Sequence, residues 1–62
     1  ISRSQTRALQ EKLLTLGYDP GGVDGISGPN TRRALRAFQR DRGLRADGYA
    51  GEQAYAAVMA AG

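Results

Sequence analysis

Neither cysteine nor histidine occurs in the 62 residues. Disulfide staples and zinc sites built on thiolate or imidazole are therefore excluded, and nothing about redox compartment can be read. The same gap empties most of the catalytic inventory, leaving six carboxylates as the only acidic groups. Aromatics are scarce, with one Phe and three Tyr. No apolar run approaches the roughly 20 residues needed to span a bilayer. No charged start followed by a hydrophobic block marks a signal peptide. The expectation is a soluble chain, and its abrupt start at Ile1 points to a piece cut from something longer.

A chain of this length makes one domain, and such domains bury only about 60% of the surface their unfolded form exposes. The core must be small and the stability marginal. Nine basic residues against six acidic give a net charge of +3, and eight of the nine are Arg. That balance favours an anionic partner: nucleic acid, anionic lipid or a carboxylate-bearing polymer. With 40% hydrophobic residues and clear punctuation by Gly and Pro, the chain is not expected to be disordered.

In SRSQTRALQEKLLTLG, Leu9, Leu13 and Leu16 recur at helical spacing, with Leu14 widening the stripe. Ser2 with Gln5, or alternatively Ser4, caps the start, and Gly17 suits the left-handed position that ends a helix. The first helix is expected near residues 4–16. YDPGGVDGISG is loop chemistry, with Val23 and Ile26 expected to point inward. In GPNTRRALRAFQRDRGL, Gly28 is placed as the N-cap, Pro29 opens the helix, and Thr31, Ala34, Leu35 and Phe38 form its stripe. The second helix is expected over 29–41, closed by Gly43. A third, over 52–61, starts with Glu52 at the positive end of its dipole.

The chain also repeats itself. Asp-Gly-x-x-Gly occurs at Asp24–Gly28 and again at Asp47–Gly51, and Ala54, Ala57 and Val58 align with Thr31, Ala34 and Leu35. ALQ at 8–10 echoes AFQ at 37–39. Asp24 and Asp47, at equivalent places, are the only candidate acid and base pair, but Asp-Gly is also the most ordinary turn dipeptide. A calcium loop begun at Asp19 would need oxygen ligands at its third and fifth positions, where Gly21 and Val23 stand. Arg32, Arg36 and Arg40 make a guanidinium row that suits phosphates or a plain solvated face. Tyr18 and Tyr49 flank the two loops and offer sugar-stacking rings; Tyr49 matches Ile26 and reads as a core plug, while Tyr18 stays open.

These residues in order, Leu9-Gln10, Leu16-Gly17-Tyr18, Asp24-Gly25, Gly28, Thr31, Ala34-Leu35, Phe38-Gln39, Gly43-Leu44 and Asp47-Gly48, cover nearly the whole chain. The chain resembles the type 1 peptidoglycan-binding domain family, most of all the C-terminal module of lytic murein transglycosylases. The family often carries an aromatic at the place of Ile26 and a Thr at the place of Ala54. The resemblance implies an all-α, compact three-helix bundle spanning 1–62. It further implies a non-catalytic module that anchors a cell-wall hydrolase or lytic transglycosylase to peptidoglycan in the periplasm or cell envelope. Its partners are then peptidoglycan, as glycan strand or stem peptide, and the catalytic domain of the same parent chain. No cofactor, metal, nucleic acid or membrane insertion is expected, and the module is a monomer. The alternatives are a packing module that contacts the parent enzyme and a basic nucleic-acid-binding domain. The expected ligand groove lies beside the first loop and uses Tyr18, Asp24, Gly28, Asn30, Thr31 and Arg33. There the unpaired N–H groups at the start of the second helix favour a carboxylate.

Overall fold

Three helices account for all the regular structure in the computed structural model, which describes residues 1–62: α1 (Arg3–Thr15), α2 (Pro29–Asp41) and α3 (Glu52–Ala60). Ser2 caps α1 through a capping box, its hydroxyl accepting from Gln5 N while Gln5 Oε1 accepts from Ser2 N. Of the two starts the sequence offered, this reciprocal pair decides for the earlier one. α1 then closes when Gly17, at φ +96°, donates to Leu14 O and Tyr18 N donates to Leu13 O. α2 ends in the same way, with Gly43 donating to Arg40 O and Leu44 to Gln39 O. Both satisfy carbonyls that a helix end leaves unpaired. Gly28 and Gly51 are the N-caps of α2 and α3, and neither offers a side chain to the first turn.

α1 packs against both α2 and α3. The core is Leu9 and Leu13 from α1, Ala34, Leu35 and Phe38 from α2, and Ala54, Val58 and Ala61 from the last segment. Phe38 occupies the centre, with Tyr18 edge-on at 5.8 Å between centroids and the Arg42 guanidinium 5.2 Å from its ring centre. Leu16, Tyr18, Tyr55 and Ala57 seal the margin. No helix is long and apolar enough to cross a membrane.

Three apolar positions depart from the sequence expectation. Ile26 is 58% exposed and Tyr49 is 73% exposed, so neither plugs the core, and Leu14 faces outward instead of widening its stripe. Val23 is half-buried. The space beneath each loop is taken by a buried glutamine amide, Gln10 or Gln39, which leaves the residues at 26 and 49 only the outer side.

Candidate functional site

Each Asp-Gly loop is tied to the helix before it by one glutamine. Gln10 is 0% exposed, and its Oε1 accepts from Asp24 N at 3.1 Å and Gly25 N at 2.9 Å. Its Nε2 lies 3.2 Å from Asp24 Oδ1, 2.9 Å from Ile26 O and 3.0 Å from Thr31 Oγ1. Gln39 does the same at the second loop, accepting from Gly48 N at 2.9 Å and donating to Asp47 Oδ1 at 3.1 Å. In both copies the Asp side chain also accepts the N–H two residues on, Ile26 at 2.9 Å and Tyr49 at 3.0 Å, which is an Asx-turn.

The glycine after each Asp is obligatory. Gly25 has φ +80° and Gly48 φ +67°, and a Cβ at either would stand 3.0 Å from a helix carbonyl, Arg3 O or Arg32 O. The two copies are therefore alike down to the carbonyl that their glycines face. Sequence reading noticed ALQ and AFQ as an echo without giving the glutamines a role. A polar residue on a helix reads as surface until its partners are visible.

Both loop carboxyls are held below the ordinary carboxylate range, first by the backbone N–H of Ile26 or Tyr49 and then by the Gln10 or Gln39 amide. The unfolded chain lacks these donors and so binds protons at higher pH than the folded one. Their contribution is complete above the unfolded value and is lost as pH falls through the folded one. Stability in urea is expected to be level above about pH 5 and to drop below about pH 4. Asp24→Asn with Asp47→Asn should flatten that acid limb; parallel curves for the two proteins would place its origin elsewhere. The Tyr18 hydroxyl moves the other way, raised chiefly because it donates to Asp41 Oδ2 at 2.6 Å.

Of the six residues expected to meet ligand, four line one cleft of about 120 Å³ beside the first loop: Asp24, Gly28, Asn30 and Thr31. Thr31 is buried, and its hydroxyl is spent between Gln10 and Pro20 O. Tyr18 lies apart, half-buried against Phe38. Arg33 is exposed, with Nη1 donating to Asn30 Oδ1 at 3.3 Å. A second cleft of about 320 Å³ opens beside the second loop, bounded by Gln39, Leu44, Arg45, Tyr49 and Ala54. None of the six residues expected to meet ligand lies at that copy. No three His, Cys, Asp or Glu side chains come together anywhere.

Residues 2–58 match the family model of a peptidoglycan binding domain. The chain belongs to this family. Among curated relatives of this peptidoglycan binding domain is the N-acetylmuramoyl-L-alanine amidase CwlM of Mycobacterium tuberculosis. It is 47% identical over 45 residues, which is 73% of this chain and 11% of CwlM. The spore cortex-lytic enzyme of Oceanobacillus iheyensis is 46% identical over 44 residues, 71% of this chain and 16% of that enzyme. Among solved structures, SltB3 from Pseudomonas aeruginosa in complex with NAG-anhNAM-pentapeptide superposes with a TM-score of 0.88 and 47% identity. The match covers 95% of this chain and 16% of SltB3. The peptidoglycan binding domain thus spans a small fraction of the length of each protein it matches. The all-α bundle and the family resemblance are both borne out.

Proposed function

We propose that this domain is a non-catalytic tether that holds peptidoglycan for a cell-wall-cleaving catalytic domain of the same parent chain, in the periplasm or elsewhere in the cell envelope. The observation that carries the reading is family membership over residues 2–58, with kinship to short stretches of an amidase and a cortex-lytic enzyme. The net charge of +3 supports it, because peptidoglycan bears free carboxylates and a cationic surface raises their local concentration. Asp24 and Asn30 offer this polymer a shallow polar surface at the first cleft, with Arg33 outside it beside Asn30 and Gly28 leaving the adjoining helix start open. A small domain with shallow clefts binds weakly, with a Kd of roughly micromolar to millimolar order. That suffices for a tether, because linkage to a catalytic domain makes the second contact intramolecular at an effective concentration on the order of millimolar.

The domain is expected to pellet with purified insoluble peptidoglycan at low salt and to be released in part as ionic strength rises. Failure to co-sediment at low salt would sink the tether. Equal, salt-sensitive binding to short DNA duplexes would reduce the reading to unspecific charge attraction.

A further inference from the structure

The second cleft arises from two differences between the copies of the repeat. At the first loop, Thr31 Oγ1 donates to Pro20 O and accepts from Gln10 Nε2, and Pro20 is itself buried, so the space is filled from both sides. At the second, Ala54 stands in the place of Thr31, and Leu44–Ala46 replaces the longer Tyr18–Val23 connection. Neither a hydroxyl nor a proline enters. About 320 Å³ is left open, near the lower end of the roughly 300–1,000 Å³ typical of ligand pockets.

The same difference frees polar valence. Gln10 Nε2 faces three acceptors, whereas Gln39 Nε2 donates only to Asp47 Oδ1, so one of its two amide protons has no acceptor in the protein. Gln39 is 6% exposed and lines the cleft. A buried N–H at a cleft wall is stabilised by an acceptor from outside. Asp47 takes both of its hydrogen bonds on Oδ1, leaving Oδ2 open to accept. Tyr49 lines the cleft with its ring lying over Gly51, where a Cβ would stand 2.5 Å from the ring Cε2, so glycine leaves room for that placement. Leu44, Ala54 and Ala57 give small apolar surfaces, and Arg45 supplies a cation at the same cleft.

We propose that the second cleft, built on Gln39, Arg45, Asp47, Tyr49 and Ala54, binds the carboxylate-bearing end of a peptidoglycan stem peptide. Arg45 meets the carboxylate, for which a guanidinium provides paired donors. Leu44, Ala54 and Ala57 take alanyl methyl groups. The spare N–H of Gln39 and Asp47 Oδ2 meet the peptide's C=O and N–H groups. A neutral glycan would offer Arg45 no charge partner beyond the nearby Asp47 and would leave the small apolar floor without methyl partners. This assignment rests on the reading that the domain binds peptidoglycan, and it moves the principal contact from the first loop to the second.

The test is an amide chemical-shift titration of the domain with three probes. These are a synthetic stem pentapeptide with a free C-terminus, its C-terminal amide, and a tetramer of N-acetylglucosamine without peptide. The free pentapeptide should move the amides of Leu44, Gly48, Tyr49 and Ala54. Amidation, Arg45→Ala and Ala54→Thr should each weaken binding about tenfold, the scale of one charge-assisted hydrogen bond. Glu11→Gln, at an exposed α1 position that lines neither cleft, should leave it within about twofold. An unchanged helical spectrum shows that each variant is folded, and Arg45, being exposed, carries the test if Ala54→Thr misfolds.

The assignment is overturned if the pentapeptide does not bind, or if shifts gather at Gly21–Thr31. It is equally overturned if the sugar tetramer alone reproduces them at the second loop. Variants Arg45→Ala and Ala54→Thr that pellet with whole peptidoglycan as well as the wild type would defeat this site and leave the tether standing. A wild type that does not pellet defeats both.

Discussion

Gln10→Leu is expected to remove most of the domain's stability, although it exchanges one side chain for another of similar size. The amide is 0% exposed and is the acceptor for two backbone N–H groups, Asp24 and Gly25. Leucine leaves both donors without a partner under the loop, at about 1–3 kcal/mol each, and takes the donor away from Ile26 O and Thr31 Oγ1. The expected loss is roughly 3–5 kcal/mol, against a total on the order of 3–9 kcal/mol for a chain of this length. Urea denaturation followed by circular dichroism should show either a midpoint displaced far to low denaturant or no cooperative transition. Gln39→Leu breaks fewer bonds and should cost about half as much. Equal losses in the two variants would mean that the extra acceptors around Gln10 contribute nothing.

Phe38→Ala should be comparably damaging for a different reason. Phe38 is the sole Phe and the largest fully buried side chain, and replacing such a ring by a methyl group usually costs about 3–5 kcal/mol in lost burial and cavity. Part of that loss is specific: Tyr18 presents its edge to the ring and Arg42 its guanidinium. Phe38→Leu keeps the apolar volume better and should cost about 1–2 kcal/mol, because it still takes away the ring face that Tyr18 and Arg42 meet. A second readout follows from position. Tyr18 reaches Asp41 across this ring, so in Phe38→Leu its raised hydroxyl pKa should relax toward the ordinary phenol value in an ultraviolet titration. An unchanged titration would show that Asp41 holds Tyr18 without help from Phe38.

The helices were legible because their ends are written locally. Ser2 with Gln5, Gly17, Gly28-Pro29 and Gly43 each act within a few residues of themselves, and periodicity picked out Leu9, Leu13, Ala34, Leu35, Phe38 and Val58 as core. Ile26 and Tyr49 were misjudged because their orientation is set by Gln10 and Gln39, which come from another element and are far away in sequence. The second cleft was hidden for a related reason. Ala54 was visible as a missing hydroxyl, but a vacancy forms only when that loss coincides with the shorter Leu44–Ala46 connection. The family needed no geometry, since an ordered series of weak motifs carried it.

The glutamine anchors also bear on the thermodynamics of recognition. Loops that recognise a polymer ordinarily lose freedom when they meet it, at about 0.5–1.5 kcal/mol for each side chain immobilised. Here Asp47, Gly48 and the backbone of Tyr49 are already fixed by Gln39 and the Asx-turn. The ordering entropy is absorbed when the chain folds, so a weak ligand meets a rigid partner. Calorimetry of pentapeptide binding should then give a small heat-capacity change set by the apolar area covered, without the larger change that coupled folding adds.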